Sequence, residues 1–239
     1  MKFIIGTKGA MTQVYRPNGA PVAVTRVQIG PCVVTQLKTA ERDGYAAVQV
    51  GFGARRRLAK PQVGQAKGLG TFRGFHEFRV EPTELAQFHV GDAIGPDAFV
   101  AGDVVKVTGI SKGRGFQGVV KRHGFGGHPK THGHKDQLRM PGSSGATAPQ
   151  HVLLGRRRGG HMGSDQVTVK NLEILGVEGD HLLVQGGIPG SEGESVWIQG
   201  EGMMTLKAKV EAAAVEAAPV SVEASTVAPA EVKQEVASE

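Results

Sequence analysis

Residues 22–52, VAVTRVQIGPCVVTQLKTAERDGYAAVQVGF, decide the fold. They hold three short runs rich in Val, Ile and Thr: Val22–Gln28, Cys32–Leu37 and Ala46–Phe52. Gly30-Pro31 and Asp43-Gly44 punctuate them. β-branched side chains pack well on a pleated surface, and Gly, Pro and Asp break it, so the pattern reads as successive strands. Val22 and Val24 alternate with Ala23 and Thr25, which leaves the facing of the first run ambiguous. Working outward, Lys2–Gly6 and Met11–Tyr15 precede it across the turn Pro17-Asn18-Gly19. A similar set returns late at Val167–Val177, His181–Gly186 and Ser195–Gln199. Phe72–Val80 and Asp103–Ile110 supply two more candidates. Helix signals are few: Pro61 opens a short helix ending before Gly68, and Pro82–Phe88 gives another turn or two. The fold class is mainly β, and many short strands at close spacing favour a closed barrel over a sandwich.

Residues 111–161 differ in kind: SKGRGFQGVVKRHGFGGHPKTHGHKDQLRMPGSSGATAPQHVLLGRRRGGH. Eleven of these 51 residues are apolar, twelve are Gly, ten are Lys or Arg, six are His, and Asp136 is the one acid. So little apolar area cannot offset the entropy of ordering the segment. A net charge of +9 repels itself unless a polyanion neutralises it. The segment is therefore expected to be ordered only on a partner.

The remaining composition bounds the function. The 239 residues carry a net +6, a pI near 9.5 and 36 glycines without a G-X-Y period. No run approaches 18 apolar residues, so no membrane span is expected. The apolar stretch Phe3–Ile5 is too short for a signal peptide. Cys32, the single cysteine, permits no internal disulfide or cysteine zinc finger, which suits a reducing, cytoplasmic setting. Residues 210–239 hold six Glu and one Lys among short Ala and Val side chains. Residues 208–239 thus read as a low-complexity, disordered tail, with a short helix possible over Leu206–Ala218.

Three chemistries compete for the basic segment. Gly113, Gly115 and Gly118 form G-x-G-x-x-G after the strand-like Val104–Ile110. A dinucleotide site also needs a helix behind them, and Val119–Gly127 is a poor helix. A nucleotide-binding enzyme is the first alternative. His123, His128, His132 and His134 have the spacing H-x4-H-x3-H-x-H, which makes a zinc module the second. Neither Ser143 nor Ser144 fits a G-x-S-x-G nucleophile elbow, and no carboxylate pair stands out. The favoured reading is phosphate binding. Gly113, Gly115, Gly118, Gly142 and Gly145 allow close backbone approach, and Lys112, Arg114, Lys121, Arg122, Lys130, Arg139, Arg156, Arg157 and Arg158 supply charge. Lys8 joins them from the N-terminal motif, and His132 and His161 hydrogen-bond or stack. No helix-turn-helix, finger or basic zipper is present, so structured RNA is expected rather than DNA. No cofactor or metal is implied.

Several ordered motifs carry a family resemblance. Gly6-Thr7-Lys8-Gly9-Ala10-Met11-Thr12-Gln13, Asp43-Gly44-Tyr45-Ala46-Ala47-Val48-Gln49, and Phe99 followed by Gly109-x-Ser111-x-Gly113-Arg114-Gly115-x-x-Gly118-x-x-x-Arg122 come first. Thr131-His132-Gly133, Pro141-Gly142-Ser143-x-Gly145, Gly160-His161-Met162-Gly163, Val167-Thr168-Val169-x-Asn171-Leu172 and Gly187-Ile188-Pro189-Gly190 follow. Over residues 1–207 the chain resembles the bacterial ribosomal protein L-three family. That resemblance implies a closed β-barrel of the translation-protein type, built from 1–110 and 162–207. It also implies a structural, non-enzymatic role in the large ribosomal subunit. The extension 111–161 would penetrate large-subunit rRNA toward the peptidyl-transferase centre, with Gln137–Gln150 at its tip. Binding early in assembly, and neighbours L-fourteen and L-nineteen, are further implications. Three positions depart from the pattern: Ala10 replaces Gly, Lys106 replaces Asp or Asn, and Ala146 replaces a Gln that some members methylate.

Overall fold

The computed structural model describes residues 1–66, 68–202 and 204. The tail and the possible helix over Leu206–Ala218 lie outside the described residues. Among the described residues twelve strands run in chain order: β1 (Lys2–Tyr15), β2 (Pro21–Ile29), β3 (Cys32–Lys38), β4 (Ala47–Ala54), β5 (Phe72–Arg79), β6 (Ala93–Ile94), β7 (Val104–Ile110), β8 (Phe116–Gln117), β9 (Gly160–His161), β10 (Gln166–Glu178), β11 (His181–Gln185) and β12 (Ser195–Gly200). The mainly-β class and the closed barrel are both present. Its order is β1-β12-β7-β10-β11-β2, with every neighbouring pair antiparallel.

Two features refine the strand pattern. Lys2–Gly6 and Met11–Tyr15 are one strand, because β1 pairs with β2 on both sides of a bulge between Lys8 and Met11. A bulge spoils the period-two pattern, so one bent strand reads as two. Beside it, the phase of β2 slips: Val24 and Thr25 are both buried, and Val27 and Ile29 continue inward. The ambiguous facing of Val22–Gln28 has this origin. The buried Thr25 hydroxyl donates to the Gly186 carbonyl at 2.6 Å. Strands β3 to β6 form a separate sheet, ordered β5-β4-β3-β6. Strand signals are local and pairing is not, so composition could not assign these runs to a second sheet.

Barrel and sheet share one core. Phe3 of β1 is fully buried and stacks on Phe78 of β5, with ring centroids 4.5 Å apart and planes at 20°. Phe88 packs against the same ring at 5.5 Å. Ile4, Val27, Val34, Val50, Ile94, Val107, Leu182, Val184 and Ile198 belong to the same cluster. Gly51 is required where the sheet is tightest: a Cβ there would lie 2.6 Å from the Phe72 ring. At the edge of the core, Trp197 of β12 stacks on His76 of β5, with ring centroids 4.0 Å apart and planes nearly parallel. Burial holds the His76 imidazole below its ordinary pKa.

Cys32 sits in this core, and its thiol donates to the Ile5 carbonyl at 3.3 Å. Burial pushes the thiol up to about 12 from the ordinary 9.0. A thiol stays protonated there and is a poor nucleophile. The unfolded chain releases this proton first, so the stabilising contribution is complete below about pH 9. It is lost as pH rises toward 12. Thiol-exchange reagent at pH 8 should modify no cysteine in the native protein and one after denaturation; stoichiometric native reaction would contradict the burial. Phe3→Ala should destabilise by about 3–5 kcal/mol, the cost of emptying a large aromatic site. A urea midpoint unchanged from wild type would show that Phe3 does not join the two layers.

Candidate nucleic-acid interface

The basic segment leaves and returns through one hairpin of the barrel. β7 pairs with β10 from Val104↔Glu173 to Ile110↔Gln166. The pairing does not stop at the barrel rim. Ser111 N–H donates to Asp165 O at 2.9 Å, Ser164 N–H to Ser111 O at 3.1 Å, Arg114 N–H to Met162 O at 2.9 Å, and Met162 N–H to Gly115 O at 3.0 Å. The pairs Phe116↔His161 and Gln117↔Gly160 carry it further. A two-stranded neck therefore holds the root of the arm. Gly163 has φ +82°, and a Cβ there would run into the Lys112 carbonyl. A Cβ on Gly113 would lie 2.9 Å from Ser164 Oγ. The G-x-G-x-x-G string thus begins as backbone packed on backbone.

Beyond the neck comes a helix of five residues, Val119–His123, where the sequence suggested a poor one. Gly118 caps its start and Gly124, at φ +74°, its end. Lys121, Arg122 and His123 occupy the last turn, where cations suit the helix dipole. Arg122 crosses to the returning limb and donates from Nη1 to Arg158 O at 2.9 Å; His123 Nε2 lies 3.0 Å from the same carbonyl. A Cβ on Gly160 would stand 2.5 Å from that guanidinium. The remaining chain to Gly159 has no regular structure. Of residues 111–161, Val119 alone is buried.

The sequence-derived site residues fall into three places. Lys8 and Lys112 meet at the root. Lys8 is half-buried and donates to Ile188 O at 2.7 Å and Gly190 O at 2.8 Å. Burial first, then the Lys112 charge, lower the Lys8 pKa. Lys8 thus struts β1 against the loop after β11. Arg114, Lys121, Arg122 and His161 line the exposed neck and helix. The third group lies further out. Lys130, His132 and Arg139 are exposed on a loop closed by His128 N–H to Leu138 O at 3.2 Å, and His132 adopts φ +59°. Arg156, Arg157 and Arg158 line a cavity of about 300 Å³ with Phe125, Ser143 and Ser144. Gly115, Gly142 and Gly145 have positive φ, whereas Gly118 is extended. His128 and His134 stack at 5.8 Å, and no group of three or more His, Cys, Asp or Glu suited to a metal occurs among the described residues.

Sequence reasoning missed a second basic cluster, Arg55-Arg56-Arg57 with Lys60 and Arg73, on and beside the β4–β5 connection. The signal was available: residues 44–76 contain no Asp or Glu.

Comparison with known proteins places this architecture. The family model described as Ribosomal protein L3 matches residues 80–182, a span that includes β7, the whole arm and β10. The large ribosomal subunit protein uL3 of Roseiflexus sp. (strain RS-1) is 48% identical over 202 residues, covering 82% of this chain and 95% of the relative. The chain belongs to the uL3 family. The uL3 proteins of Dehalococcoides mccartyi (strain 195) and Thioalkalivibrio sulfidiphilus (strain HL-EbGR7) are 43% and 45% identical, each over at least 82% of this chain. These relatives are named as proteins of the large ribosomal subunit. No helix among the described residues is long and apolar enough to cross a membrane.

The neck makes a separable prediction for this uL3 chain. Gly163→Ala should open the root of the arm and spare the barrel. Amide exchange at Arg114 and Met162 should accelerate, while Val107 and Ile198 keep their protection. Equal acceleration in both regions would mean that neck and barrel unfold together.

Proposed function

We propose that this uL3 chain is a structural constituent of the large ribosomal subunit that binds large-subunit rRNA through residues 111–161. One observation carries the reading: 51 residues with net charge +9 bury a single side chain, yet leave the barrel through a fixed neck. Residues 1–110 and 162–207 act as the folded anchor, and 111–161 gains its working shape against RNA. Lys112, Arg114, Lys121, Lys130, Arg139 and Arg156–Arg158 neutralise phosphates, and the free nitrogens of Arg122 join them. His132 and His161 stack or hydrogen-bond. Bidentate guanidinium forks and open glycine backbone suit a surface of packed phosphates. The tip, Gln137–Gln150, extends toward the peptidyl-transferase centre. Its Ala146 leaves no Gln side chain for methylation. Early binding during assembly follows from one chain gripping RNA segments at both the neck and the tip. L-fourteen and L-nineteen are the proposed protein neighbours. The setting is the cytoplasmic ribosome.

Affinity for deproteinised large-subunit rRNA should fall by roughly 10³–10⁵ between 50 and 200 mM salt, if six to ten phosphates are neutralised. Arg156, Arg157 and Arg158 changed together to Ala should weaken binding and leave the melting temperature within a degree or two. A flat salt response would sink the electrostatic account, and a large fall in melting temperature would make the three arginines structural.

A further inference from the structure

A second cationic face lies away from the arm. From Gly44 to His76 the chain holds Arg55, Arg56, Arg57, Lys60, Lys67 and Arg73 and no acid. Arg55, Arg56, Arg57, Lys60 and Arg73 are all exposed, and none of the five makes an ion pair among the described residues. The next acid along, Glu77, is already engaged. It accepts from Lys38 at 2.7 Å and from the Tyr45 hydroxyl at 2.7 Å. Surface cations are usually interleaved with acids, because like charges held together cost free energy. Among the described residues no carboxylate forms an ion pair with these five cations.

This face is based on the second sheet. β4 and β5 pair from Ala47↔Arg79 to Ala54↔Phe72, and the Phe72 ring is clamped over Gly51. Gly53 has φ +66°, and the Arg73 stem lies 3.3 Å from where its Cβ would stand, so Arg73 runs beside the strand that leads to Arg55. The connection carries the short helix Lys60–Gln65. Gln65 Nε2 at its end donates to Gln49 Oε1 of β4 at 2.8 Å, and Ala66 is buried. Strands β4 and β5, the Arg73 stem and the end of the helix thus give the connection a fixed base.

We infer that the β4–β5 connection, through Arg55, Arg56, Arg57, Lys60 and Arg73, is a second, preorganised RNA-phosphate binding face. This rests on the rRNA-binding reading and adds a site to it. A preformed face loses little conformational freedom on binding, so it makes the first contact and the arm engages afterward as an intramolecular step. Charges on a rigid rim act chiefly on the association rate.

The test uses the full chain with deproteinised large-subunit rRNA across a salt series. R55Q/R56Q/R57Q is compared with R156Q/R157Q/R158Q, with both sets combined, and with R42Q as an exposed control. Each phosphate contact contributes about 0.7–0.9 to the slope of log affinity against log salt. The R55Q/R56Q/R57Q slope should therefore fall by about two to three units, with the loss mainly in the association rate. The arm variant should lose mainly by faster dissociation, and R42Q should match wild type. An unchanged slope for R55Q/R56Q/R57Q beside a weakened arm variant overturns this site and leaves the arm reading standing. Wild-type protein that ignores rRNA overturns both. Acylation of Lys60 in the wild-type chain gives a readout independent of mutant folding. Its amine should react in the free protein and be protected in the complex, and equal reactivity overturns the proposal.

Discussion

The antiparallel ladder between β7 and β10 is the constraint on which the rest of the molecule depends. Inside the barrel it buries Val105, Val107 and Ile174. Past Ile110 and Gln166 the same two limbs keep bonding through Ser111, Arg114 and Met162 with no core beneath them. One continuous ribbon thus connects a region held by apolar burial to a region held by charge. The glycines at 113 and 163 let the two limbs approach where side chains would keep them apart. Without that ribbon the arm would be a long tether with no fixed direction.

Charge is distributed to match. The barrel's cations are partly spent inside the fold: Lys2 pairs with Asp103, Arg16 with Glu173 and Lys38 with Glu77. Lys8 saturates two backbone carbonyls. In the arm the cations have one acid for company, Asp136, and the β4–β5 connection has none. Stability and recognition therefore use the same residue types in different surroundings, and the surroundings, not the residue type, assign the role.

That distinction explains what the sequence revealed. The runs Cys32–Leu37, Ala46–Phe52, Phe72–Val80 and Asp103–Ile110 are strands within a residue or two of where β propensity puts them. Their division between a barrel and a second sheet was illegible, because pairing depends on partners far along the chain. The bulge at Lys8–Met11 concealed the continuity of β1. The bonds of Lys8 to the carbonyls of residues 188 and 190 were not legible, because those partners are remote in sequence. The Arg55–Arg57 cluster was overlooked for a different reason. It has no glycine motif around it, and its meaning lies in the missing acids of residues 44–76.

Closure of the barrel has a consequence for how the chain is made. One edge of β1 is covered by β2, which follows within a few residues, but the other is covered by β12, from Lys2↔Gly200 to Thr7↔Ser195. During synthesis that second edge has no mate until nearly two hundred residues have been joined. An open edge is a template for adventitious strand addition, and contacts so distant form slowly. The nascent polypeptide therefore emerges with its first strand half-dressed, and the cylinder can shut only once Ser195–Gly200 has left the translating ribosome.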